Sequence, residues 1–118
     1  MRPNGAQKAE SEHDRMLRAV AEQSRRPGVR VSVGVPGYPS PRTVHGQIPD
    51  LVASAGTKVV LEVETARGRS SFRAYQKFKA FAFAQGMTFQ VAVPKACPTP
   101  ARMTAAAWNA LPAKWWAI

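Results

Sequence analysis

The sequence predicts a small α/β domain with a central mixed sheet flanked by helices. Three observations carry that expectation: apolar residues alternate as in strands, apolar residues recur at helical spacing elsewhere, and the two patterns succeed one another in the order α-β-β-β-α-β-α. With 118 residues, 45% of them hydrophobic and 20% charged, the chain has the length of one domain and the composition of a folded one. The whole of 1–118 is read as a single domain, with residues 1–9 expected to be flexible.

Residues 10–24 place Met16, Leu17 and Val20 at helical spacing in a polar stretch free of Gly and Pro, which predicts an amphipathic helix ending before Arg26-Pro27-Gly28. Residues 29–35 (VRVSVGV) alternate four valines against Arg30, Ser32 and Gly34, the pattern of a half-buried strand. Residues 36–46 hold three prolines and two glycines and are read as a loop. GQIPDLVAS and KVVLEVET, separated at Gly56-Thr57, are read as two strands of a hairpin. Ser70 or Ser71 is expected to cap a helix reaching Gln85, its apolar side formed by Phe72, Tyr75, Phe78, Phe81 and Ala82, with Gly86 as its stop. TFQVAVP, residues 88–94, alternates as a strand, and Thr99-Pro100 opens a C-terminal helix to about Leu111. The tail AKWWAI reads equally as an edge strand or as an apolar plug over the core.

Charge narrows the function. Seventeen Lys and Arg against seven Asp and Glu leave a formal charge of +10, which points to a polyanionic partner, nucleic acid first and an anionic membrane surface second. One cysteine, Cys97, excludes an internal disulfide and, with no Cys or His at ligand spacing, a zinc finger. The polar N-terminus and the lack of a long apolar run predict a soluble, cytoplasmic protein.

The acids are distributed unevenly. Four of the seven fall within the first 22 residues, which leaves Asp50, Glu62 and Glu64 alone in the rest of the chain. On a strand, Val60, Glu62 and Glu64 share one face and Val59, Leu61 and Val63 the other. Same-face neighbours lie roughly 6–7 Å apart and a hairpin partner about 5 Å away, so Asp50 would join the two glutamates. Three half-buried carboxylates repel one another, and a hard cation such as Mg²⁺ (or Mn²⁺) resolves that conflict. A solvated sheet face also accommodates alternating glutamates, and Asp50 after Pro49 also suits a turn. The scarcity of acids elsewhere favours the metal reading: a negative pocket in a positive protein suits metal-assisted work on a phosphodiester.

GQIPDLVASAGTKVVLEVET resembles the hairpin of the PD-(D/E)xK nuclease superfamily, whose fold is restriction-endonuclease-like. Pro49-Asp50 matches the first half of the motif, Glu62 the acid of the acid-x-Lys tripeptide, and Glu64 stands where the family has Lys. The order of elements over roughly residues 10–95 fits the same family. The resemblance implies Asp50, Glu62 and Glu64 as catalytic metal ligands, with Glu12, on the first helix, as an accessory ligand and Glu10 behind it. Glu64 carries no positive charge; some members of the family use Glu at this position, and in others the basic residue moves to the following helix, where the resemblance implies that Gln76 or Lys79 positions water or phosphate, while Lys77 points elsewhere.

Arg42, Arg67, Arg69, Arg73 and Lys77 are read as contacts to a nucleic-acid backbone. His13 and His45 are read as surface residues, and Trp115, Trp116 and Ile118 as core or a homodimer contact. The sequence thus predicts a Mg²⁺-dependent endonuclease acting on DNA. The alternatives are a module of the same fold that binds nucleic acid without cutting it, and a small basic factor that docks on an acidic protein.

Overall fold

The computed structural model describes residues 10–65, 72–95, 105–106, 109–110 and 112–118. The elements are α1 (Glu12–Ser24), β1 (Arg30–Val33), β2 (Leu51–Ala55), β3 (Thr57–Val63), α2 (Phe72–Ala82), β4 (Met87–Val93) and β5 (Lys114–Ala117). They build one five-stranded mixed sheet of order β1-β2-β3-β4-β5. The β1–β2 and β2–β3 pairs are antiparallel, whereas β3–β4 and β4–β5 are parallel. Parallel neighbours need a crossover, and α2 lies between β3 and β4 in the chain.

α1 starts where Ser11 accepts a hydrogen bond from the Asp14 amide at 3.1 Å, with Glu12 and Asp14 in the positively polarised first turn. Its buried residues are Met16, Leu17, Val20 and Ala21. They pack with Val33, Leu51, Leu61, Val63 and Ala92 in one core cluster. Phe78 and Phe81 of α2 pack with Val60, Phe89, Val91 and Val93 in the other. Alternate residues of β3 and β4 thus feed two clusters, one for each helix, as the two-residue period of a strand requires.

Several boundaries differ from the sequence expectation for local reasons. The strand expected over 46–54 begins only at Leu51, since Pro49 has no amide proton and Gln47 is bridged to Val44. α2 ends at Ala82 rather than Gln85, and Gly86 follows with φ +76, the left-handed stop expected of it. On α2 the buried residues are Ala74, Phe78 and Phe81, and Phe72, expected on the apolar side, is 72% exposed. The tail is a strand: β5 pairs with β4, Trp115 packing against one cluster and Trp116 and Ile118 against the other. The expectations for residues 1–9, for the cap at Ser70 or Ser71 and for most of the C-terminal helix lie outside the described residues. No helix among the described residues is long and apolar enough to cross a membrane.

Candidate active site

Asp50, Glu62 and Glu64 meet at one end of the sheet. Leu51 pairs with Leu61, so Asp50, one residue earlier, falls beside Glu62 at the C-terminal end of β3. The residue before it, Pro49, is fully buried and anchors the approach, and the Gly34 amide binds the Asp50 carbonyl at 2.9 Å. The Asp50 amide donates to Glu62 Oε2 at 2.8 Å, and the Val63 amide donates to Asp50 Oδ2 at 2.8 Å. The Glu62 carboxylate thus holds the Asp50 amide, and the Asp50 carboxylate the amide of Val63, the residue after Glu62.

Two cations close the cluster. Lys77 of α2 places Nζ 2.8 Å from Glu62 Oε1 and 3.7 Å from Asp50 Oδ1. His13, in the first turn of α1, sits with Nε2 3.1 Å from Asp50 Oδ2 and Nδ1 3.1 Å from Asp14 Oδ1. Both ring nitrogens of His13 thus face carboxylate oxygens, the arrangement that suits the doubly protonated imidazolium. The Asp50 contact, followed against the opposing effect of burial by the remaining carboxylate contacts, raises its pKa to about 9.

The same contacts set the acids apart. Burial works against the Asp50 charge, but His13, Lys77 and the Val63 amide outweigh it and hold its carboxyl below the usual range. Glu62 is 1% exposed, and burial followed by the Asp50 charge pushes its carboxyl well above the ordinary value. Burial also opposes the Lys77 charge, yet Glu62 and Asp50 more than compensate and raise its pKa. The Glu64 amide donates to the Ala92 carbonyl at 2.9 Å, while its buried carboxyl has no hydrogen-bond partner among the described residues; burial and the Asp50 charge raise it to about 7.

These groups line a cavity of about 300 Å³ together with Val63, Thr65, Arg73 and Ala74. Of the residues singled out in the sequence, Asp50, Glu62, Glu64, Arg73 and Lys77 therefore converge. Glu12 is exposed and outside the cavity lining, and its neighbour His13 takes the inward position. Gln76 is exposed, and Lys79 lies over the Phe83 ring at 5.3 Å to its centroid, so neither lines the cavity. Lys77, expected to point elsewhere, is the α2 residue that does. Arg42 is exposed and outside the lining, and Arg67 and Arg69 lie outside the described residues.

Sequence reasoning passed over His13 and misplaced Lys77, although a signal existed for both. His13 stands three, four and seven residues before Met16, Leu17 and Val20, on the inward stripe of its helix. Lys77 is flanked by Ala74, Phe78 and Phe81 in the same sense.

The donor chemistry suits a hard divalent cation, since all three acids offer carboxylate oxygens and Glu64 is a buried carboxyl without a described partner. Asp50 and Glu62 spend their oxygens on His13, Lys77 and backbone amides, and among the described residues no three His, Cys, Asp or Glu side chains stand in metal-ligating geometry. No family model matches the chain, and no curated protein or solved structure matches it significantly.

Proposed function

We propose that this chain has a restriction-endonuclease-like fold and is a divalent-metal-dependent nuclease that hydrolyses DNA phosphodiester bonds, structure-selectively or without sequence preference. The observation that carries the reading is the convergence of Asp50, Glu62, Glu64, Arg73 and Lys77 on one cavity of a protein with a charge of +10. Asp50, Glu62 and Glu64 would hold the cation, which when bound polarises a phosphate oxygen and acidifies a water.

The remaining roles belong to the chain's own groups. Lys77 brings to the cavity the positive charge that Glu64 does not, where it can bind a phosphate oxygen or the charge that develops on it. Arg73 offers a planar donor fork for the neighbouring backbone phosphate. His13 holds Asp50 in one orientation through Oδ2. Glu64, raised to about 7 without a cation, would give up its proton on holding one, so cation binding should release protons at neutral pH.

A second reading has a specific observation in its favour. The cations Lys77 and His13 already neutralise Asp50 and Glu62, as in a site retained for binding after catalysis is lost.

Cleavage of labelled linear, nicked, flapped and four-way DNA with Mg²⁺ or Mn²⁺, comparing the wild type with Asp50→Ala, separates the two. Metal-dependent cutting that disappears in the variant is the expected result. Salt-sensitive binding without cutting by either protein, and no rise in melting temperature with millimolar cation, would leave only the binding module.

A further inference from the structure

Outside the cavity, α2 carries a second feature that the acids do not explain. Phe72 is 72% exposed and Phe83, one residue beyond the helix, is 60% exposed. At 100° per residue, Phe72, Gln76, Lys79 and Phe83 fall on one stripe, opposite the buried Ala74, Phe78 and Phe81. Arg73 and Lys77, which line the cavity, occupy the adjoining quarter of the helix surface. The stripe is organised: the Phe72 and Tyr75 rings stack at 6.1 Å and 23°, and the Lys79 ammonium covers the Phe83 ring. Two exposed rings on one helix face, one stacked with Tyr75 and the other beside a lysine ammonium, form platforms on which planar groups can stack.

Charge decides which occupant fits. α2 holds Arg73, Lys77 and Lys79 and no acid, and no Asp or Glu follows Glu64 in the chain. A second copy would set like charges against each other, and the aromatics are separated by Gln76 and Lys79 rather than joined into one apolar patch. Single-stranded nucleic acid matches both properties, because its bases stack on aromatic faces while its phosphates need cations.

We propose that the outer face of α2 is a stacking track for unpaired bases, built on Phe72, Tyr75 and Phe83 with Lys79 as a phosphate contact. It runs beside the cavity and delivers the single-stranded part of a flap or junction to Arg73 and Lys77. This inference rests on the nuclease reading for the meaning of the cavity, but the track itself does not require cutting.

The test is fluorescence anisotropy of the full chain with a labelled single-stranded oligodeoxynucleotide and with a duplex of equal length, both in EDTA. The combined variant Phe72→Ala, Phe83→Ala is expected to lose roughly 10- to 100-fold in affinity for the single strand and far less for the duplex. Phe72→Trp should retain binding, and its fluorescence should be quenched by the single strand. Lys79→Ala should lower the slope of log affinity against log salt by about one phosphate contact. Equal losses on both ligands, or no quenching of the new Trp, would overturn the track. So would self-association of the wild type that the double alanine variant abolishes, since it would assign the stripe to a dimer. Because EDTA removes catalysis, a protein that never cuts still reports on the stripe, and one that cuts but shows no quenching sinks this inference alone.

Discussion

Helix α1 takes part in two groups of charges that pair acids with bases to opposite ends. On its outer side, Arg18 pairs with Glu10, and Glu22 is shared between Arg25 and the Tyr38 hydroxyl, around an open cleft of about 760 Å³. At its first turn, His13 enters the cluster of Asp50, Glu62 and Lys77, where Lys77 and Asp50 are each 13% exposed and Glu62 1%. The outer cleft is the larger concavity, yet water screens its charges and their pairing stabilises little. The inner cavity is less than half its volume, and there Asp50 and Glu62 each depend on a named cation. Size therefore does not identify the site here; desolvated, mutually dependent charge does.

The comparison breaks most visibly at Lys77. Lys77→Met removes the one cation paired with the buried Glu62 among the described residues, and a loss of about 3–5 kcal/mol in urea unfolding is expected. Adding Glu62→Gln should recover much of it, because the pair is then removed together. A single variant as stable as the wild type would mean that the ion pair is dispensable.

A smaller effect comes from Glu64. Its carboxyl is raised from 4.5 to about 7 in the folded protein, so it favours folding below pH 4.5, and that contribution fades as pH climbs to about 7. Glu64→Gln removes this dependence, so its stability relative to the wild type should rise between those pH values and then level off. The slope contributed by His13, whose pKa goes from 6.5 to about 9, should remain in both proteins, with stability falling as pH rises through that window. Parallel stability curves from pH 4 to 8 would place Glu64 in water instead. The smallest effect belongs to the outer cleft: Arg25→Ala should leave the melting temperature within the error of the measurement, and a fall of several degrees would give that cleft a structural role.

Much of this was legible in the residues. VRVSVGV and KVVLEVET state a strand period directly, and that period alone puts Glu62 and Glu64 on one face and Leu61 and Val63 on the other. Pro49-Asp50 and Gly56 mark the hairpin that brings Asp50 alongside. KWWA was ambiguous because it has no alternation of its own; its strand depends on the ladder that β4 offers. The helix residues were harder, since a helical pattern tells which stripe faces inward but not which turn reaches the end of a sheet. That is why Glu12 stood in for His13, and Gln76 or Lys79 for Lys77. Phe72 was placed inward by its hydrophobicity, whereas Ala74 holds the buried position.

The β2–β3 hairpin turns tightly, Ala55 pairing with Thr57 across Gly56 at φ +87. A strand that slips by one residue exchanges its two faces. In β3 such a slip would drive the glutamates into the cluster of Leu17, Val20 and Val33 and turn Leu61 out of it. Burying unpaired carboxylates there is prohibitive. The acids that line the cavity therefore also proofread the folding of the sheet: the chain cannot misalign its central hairpin without exposing the error as buried charge.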